Sequence, residues 1–145
     1  MLVDLTSKVR VVAKTNFENL RVYRLSEKIA DHVWRVVLGW DPFARYTIGK
    51  QLVRSADSVG ANISEGVGRG AFLDNRRFVK MARGSLYETK HWLRRAYKRG
   101  LLTKHQIQAL KPLLDELGPT LNAYLKSIGV DDKSITRRSS RVANH

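Results

Sequence analysis

Two rows of polar side chains repeat at helical spacing in this chain, and each could do a different kind of chemistry. The first lies in QLVRSADSVGANISEG, residues 51–66, where Gln51, Ser55, Ser58, Asn62 and Glu65 step by four, three, four and three. That spacing puts them on one helix face. A second helical stretch carries Met81, Gly84, Ser85, Glu88 and Trp92 at similar steps. Two carboxylates, Glu65 and Glu88, brought together in a cleft would suit acid–base hydrolysis. The competing reading is a hydrogen-bond network between packed helices. Ser55, Ser58, Gly84 and Ser85 are small enough for close backbone approach, Gln51, Asn62 and Glu88 can bond across the gap, and Arg54 can pair with Glu88. Buried polar groups left unpaired cost ~1–3 kcal/mol each, so such a network fixes register. The structural reading is the stronger one, with Gln51, Arg54, Ser58, Asn62, Glu65, Ser85 and Glu88 as its members.

The other row is cationic. Arg76, Lys80, Arg83, Lys90, Arg94 and Lys98 step by four, three, seven, four and four, and Tyr87 fills the long step. Between residues 69 and 99 there are ten Lys or Arg and two acids, Asp74 and Glu88. A merely solvated helix face interleaves acids at i±4, and this one scarcely does. The whole chain has the same bias: 27 Lys and Arg against 13 Asp and Glu give +14 over 145 residues, with a pI near 10.5. Such an excess repels itself in the folded state and serves a polyanionic partner, nucleic acid first and an anionic membrane surface second. The expected phosphate contacts are Arg69, Arg76, Arg77, Lys80, Arg83, Lys90, Arg94 and Lys98. Arg137, Arg138 and Arg141 add charge to a polar tail. No sequence-reading element is visible, so shape and charge should be what is recognised.

Other chemistries lack their residues. The absence of cysteine removes disulfides, thiol catalysis and cysteine-based metal sites. His32, His91, His105 and His145 fall on different segments without HxxxH or HExxH spacing, so no metal is expected. His32 suits a partly buried bundle position, and His91 and His105 suit the surface. GVGRG at 66–70 lacks GxGxxG spacing, follows a helix where a dinucleotide site needs a strand, and lacks the Gly-Lys-Ser/Thr ending of a phosphate loop. No serine sits in Gly-x-Ser-x-Gly. The expectation is a non-enzymatic protein without cofactors. The N-terminus mixes charge into every apolar run, and no segment approaches the roughly 20 apolar residues of a membrane span. A soluble, cytoplasmic chain is expected.

Four amphipathic blocks must position these rows. The first, about 19–37, has the apolar stripe Leu20, Tyr23, Ile29, Val33 and Val36/Val37, and Gly39 with Asp41-Pro42 ends it. The second, about 44–65, has Ile48, Leu52, Ala56, Val59 and Ile63, with Gly66, Gly68 and Gly70 as its stop. The third, about 73–99, has Phe78, Ala82, Leu86, Thr89, Leu93 and Ala96, capped by Asp74 or Asn75 and closed by Gly100. The fourth opens at Thr103, which forms a capping box with Gln106, and runs to about 127. Pro112 and Pro119 lie inside it, and an interior proline costs ~3 kcal/mol. A short helix at 103–110 followed by a kinked one is therefore predicted. No period-two alternation occurs over a useful length. Residues 1–16 read as an arm, 17–128 as an all-α, antiparallel up-down four-helix bundle, and 129–145 as a basic flexible tail.

Three ordered segments, NFENLRVYRLSEKIA, QLVRSADSVGANISEGVGRG and RFVKMARGSLYETKHWLRRAYKRG, resemble the family named after the intervening-sequence protein of bacterial 23S ribosomal RNA genes. That family also carries an "S23 ribosomal protein" label. The most specific parts are Asn62-Ile63-x-Glu65-Gly66-x-Gly68-Arg69 and Gly84-Ser85-x-x-Glu88, and the likeness covers roughly 17–128. The resemblance implies a four-helix bundle that assembles into a ring-shaped homo-oligomer, commonly a pentamer. It also implies kinship with the accessory protein of diversity-generating retroelements, a basic ring that binds nucleic acid and a reverse transcriptase. Nucleic acid, RNA or DNA, is thus the expected partner. The alternative is an adaptor that docks an acidic protein or a reverse transcriptase. The two internal prolines and the Arg-rich tail depart from the family pattern.

Overall fold

The computed structural model describes residues 16–128, and the arm and tail readings fall almost wholly outside that range. A 3-10 turn at Asn16–Asn19 leads into α1, Arg21–Leu38. The chain then turns at Gly39 and Trp40. Asp41 starts the next helical segment by accepting a hydrogen bond from the Ala44 backbone N–H at 3.1 Å. One α-turn at Pro42–Ala44 and a π-helical stretch at Arg45–Gly49 feed directly into α2, Lys50–Arg69. Helix α3 spans Phe72–Lys98 and α4 spans Lys104–Ser127. Among the described residues there is no strand, and the four expected helices are all present.

The predicted apolar stripes form the core. Val22, Leu25, Ile29 and Val33 of α1 meet Leu52, Ala56, Val59 and Ile63 of α2, then Val79, Ala82 and Leu86 of α3, and Leu110, Leu117 and Leu121 of α4. Around the bundle the order is α1, α2, α3, α4: α2 and α3 pack along their lengths, α1 packs on α2 and α4, and α3 meets α4 only loosely. The Trp40 indole N–H donates to the Leu101 carbonyl at 2.9 Å, tying the α1–α2 turn to the α3–α4 loop. Arg21 of α1 pairs with Glu116 of α4.

Several sequence expectations change here. Gly66 does not stop α2. It is buried inside the helix, and the stop is Gly70, whose φ of +74° is the left-handed conformation that glycine adopts without strain. Helix α3 begins at Phe72 behind Ala71, so Asp74 and Asn75 fall in its first turn and cap nothing. The capping box at Thr103 is present, with reciprocal bonds to Gln106 of 3.0 and 3.1 Å. Helix α4 runs unbroken through Pro112 and Pro119, against the predicted break after residue 110. The two prolines are seven residues apart and both exposed, and so are Gln108 and Asp115 four residues before each. Both prolines thus lie on the solvent side of the helix, where water can satisfy the carbonyls freed by the missing N–H groups.

Candidate nucleic-acid interface

Helix α3 shows two different surfaces, one to α2 and one outward and toward α4. On the α2 side, Ser85 Oγ donates to Ser58 Oγ at 3.0 Å. Asn62 Nδ2 donates to the same Ser58 hydroxyl at 3.1 Å and to the Ser58 carbonyl at 2.9 Å. The Ser55 and Thr89 hydroxyls sit 3.1 Å apart across the seam. Each is also within reach of a carbonyl one turn back on its own helix, Leu52 at 3.0 Å and Ser85 at 2.8 Å. Ser55 and Thr89 are both buried. The network foreseen in the sequence thus exists, but with a smaller and partly different membership.

Ser58, Asn62 and Ser85 belong to it, whereas Gln51, Arg54, Glu65 and Glu88 are exposed and lie outside. Glu65 pairs with Arg69 one turn on, at 2.9 Å. Glu88 accepts from the Trp92 indole at 3.3 Å, and among the described residues no ion pair joins it to Arg54. Ser58 faces Ser85 and Ser55 faces Thr89, a register that separates Glu65 and Glu88 by about ten residues along the seam, roughly 15 Å. They do not form an acid pair. Gly84 is exposed with open space where a Cβ would stand. The close approach is made at Gly66, where a Cβ would come within 2.6 Å of Asn75 Oδ1 and 3.0 Å of Phe78 Cβ. Thr89 falls at an apolar position of the α3 stripe, and a reading by stripe alone passes over its hydroxyl.

The cation row keeps its predicted alignment. Lys80, Lys90, Arg94 and Lys98 are exposed on α3, and Arg76 and Arg83 are half-buried along the same line. Lys80, Arg94 and Lys98 have no acidic partner among the described residues. Arg83 reaches Asn122 of α4 at 3.4 Å, and the Lys90 ammonium stands 5.7 Å from the centre of the Tyr87 ring. Arg69 and Arg77 are placed differently. Their guanidinium groups lie 5.3 and 5.2 Å from the Phe78 ring, and each has an acid, Glu65 for Arg69 and Asp74 at 3.7 Å for Arg77. Both are held at the α2–α3 corner rather than in the row.

Next to the row, α3 and α4 flank an open groove of about 720 Å³. Leu93, Leu102, Ile107, Leu110 and Leu114 make its apolar floor, Lys90 and Arg94 its α3 wall, and Lys104 and Lys111 its α4 wall, with Tyr97 beside them. The one acid among the lining residues, Asp115, is paired with Lys111 at 2.7 Å. Sequence reading missed this groove. Its signal was present in Lys104 and Lys111, seven residues apart and flanking Ile107.

Negative charge gathers on the other side of the bundle. Glu27, Asp31 and Asp57 line a shallow groove on the α1–α2 seam. Partial burial, and then the charge of Asp31, push the Asp57 carboxyl above the ordinary carboxylate range. Burial followed by Glu27 and Glu18 raises the Tyr23 phenol. His32 is half-buried, and His91 and His105 are exposed, as expected; His145 lies outside the described residues. No cluster of three metal-ligating side chains occurs among the described residues, and none of their helices is long and apolar enough to cross a membrane.

Fold and surface together define a basic four-helix bundle whose longest helix carries a cationic face. The family model of the 23S rRNA-intervening sequence protein matches residues 18–123, and the chain belongs to that family. Among solved structures it is similar to a protein of unknown function from the S23 ribosomal protein family of Bacteroides thetaiotaomicron. That crystal structure aligns with a TM-score of 0.64 at 22% identity, over 72% of this chain and 98% of the other. At that identity the likeness speaks for the fold. No curated protein matches the sequence.

Proposed function

We propose that this protein is a non-enzymatic binder of nucleic acid that grips the phosphate backbone with the outward face of α3. The observation that carries the reading is the single-signed row from Arg76 to Lys98. Both acids of the helix, Asp74 and Glu88, stand off that face, and the acidic seam of the fold lies across the bundle at α1–α2. Lys80, Arg83, Lys90 and Arg94 are the central contacts, with Arg76 and Lys98 extending the row. Assembly of several copies, as in a pentamer, would convert weak single-site contacts into avidity. The separation of Glu65 from Glu88, each with its own partner, favours binding over acid–base hydrolysis.

Reversing Lys80, Arg83 and Arg94 together to Glu tests this. Filter binding with DNA and with RNA at low salt should show affinity falling at least about a hundredfold, with the melting temperature little changed. Retained affinity in the triple variant sinks the reading. Capture of an acidic protein that persists after nuclease treatment would instead support the adaptor role.

A further inference from the structure

We propose that the groove between α3 and α4 seats the unpaired bases of a single-stranded nucleic acid whose phosphates follow the α3 cations. The inference rests on the phosphate-binding reading and names the class of polymer that the site prefers. The cation row is longer than the groove. It runs from Arg76 to Lys98, roughly 33 Å along the helix, whereas the groove's α3 wall begins at Lys90. An acidic helix lying in the groove would use only the end of that row. A linear polyanion would use all of it.

Tyrosine rings interrupt the row at intervals. Tyr87 is 65% exposed and Tyr97 56%, and both share the outward side of α3 with the cations. Tyr97 stands beside the apolar floor made by Leu93, Leu102, Ile107, Leu110 and Leu114. A cationic track set with exposed aromatic rings is how proteins hold single strands without reading their sequence, because every base has a π-face. A base leaving water for this floor gains apolar contact while its phosphate stays beside Lys90, Arg94 or Lys104, since Lys111 is held by Asp115. A duplex offers the same phosphates but keeps its bases stacked, so it cannot fill the groove. The chain's own ends do not suit the cationic walls, since residues 1–15 and 129–145 each carry more Lys and Arg than Asp and Glu.

The test compares an unstructured strand of roughly 16 nucleotides, labelled for fluorescence anisotropy, with the duplex of the same sequence at one low salt concentration. The full chain should bind the strand at least about tenfold more tightly. Tyr97→Ala should remove most of that preference and leave duplex affinity unchanged, while Tyr97→Phe, which keeps the stacking ring, should restore it. A 2-aminopurine in the strand should change emission on binding the wild type and less so with Tyr97→Ala. Because Tyr97 is exposed, the variant should melt with the wild type.

Equal affinity for strand and duplex, or a Tyr97→Ala loss shared equally by both, would empty the groove of bases and leave the phosphate reading intact. Failure of both polymers to bind at low salt would remove the phosphate reading and this inference with it. Full strand affinity in Tyr97→Ala, with loss of binding to an acidic amphipathic peptide, would reassign the groove to a protein partner.

Discussion

The α2–α3 seam and the α3–α4 seam share one helix yet are built on opposite plans. The first is closed: Gly66 admits the backbone of α3, and hydroxyls at Ser55, Ser58, Ser85 and Thr89 bond across it. The second is open, with aliphatic side chains at the bottom, Lys90 and Arg94 on one wall and Lys104 and Lys111 on the other. Short polar groups that meet one another spend their bonding capacity inside the fold. Of the long cations on the open seam's walls only Lys111 has an acid, Asp115, among the described residues, which leaves Lys90, Arg94 and Lys104 available to a ligand. The same helix can thus fix register on one side and bind on the other, and substitutions on the two sides should have separable effects.

The largest expected effect comes from filling the closed seam. Gly66→Leu would drive a side chain into Asn75 and Phe78, including the Asn75 carbonyl, 3.2 Å from the Cβ position. Overpacking of this kind costs up to about 3 kcal/mol, readable as a lower urea midpoint. A variant as stable as the wild type would mean that the seam is not closely packed. A smaller loss follows from unmaking the buried hydroxyl pair. Thr89→Val leaves Ser55 without its cross-seam neighbour and should cost about 1–2 kcal/mol. Adding Ser55→Ala should return part of that loss, since removing both partners leaves nothing unsatisfied. Additive losses in this double-mutant cycle would show that the hydroxyls do not interact. Neither substitution should alter nucleic-acid affinity in the folded protein, which sharpens the contrast between the seams.

The helix count, the core stripes and the cation row were legible in the sequence because each depends on spacing within a single helix. Features that depend on where the next helix lies were not. Gly84 reads as the residue for close approach and Gly66 as part of a helix stop, yet only the packed register decides which of them faces the neighbour. Thr89 sits at an apolar position in the repeat, and only its distance from Ser55 reveals a hydrogen bond. Pro112 and Pro119 read as helix breaks because their placement on the solvent side of α4 is a tertiary property. The groove needs residues from both α3 and α4, and the loose packing of those helices is not written in either one.

The smallest expected effect is on the third seam, which serves as a control. Asp57 titrates above the ordinary carboxylate range in the fold because of partial burial and its neighbour Asp31, with Glu27 and Tyr23 also in that groove. The native state then binds this proton more tightly than the unfolded chain. Its contribution to stability should rise as pH falls through the raised value and level off below the ordinary one. Asp57→Asn should flatten that part of the stability–pH curve and slightly raise neutral-pH stability. A wild-type curve without any such rise, once other carboxylates are matched by the variant, would contradict the shift.

The central claim is that α3 holds phosphates on the face turned away from the closed seam. Its most direct test is the slope of log affinity against log salt, measured for the wild type and for Lys80→Ala and Arg94→Ala. A protein engaging several phosphates should lose orders of magnitude in affinity between low and moderate salt. Each single substitution should lower the slope by about one unit while leaving the urea midpoint in place. A wild-type slope near zero, or slopes that the two substitutions leave unchanged, would contradict the account.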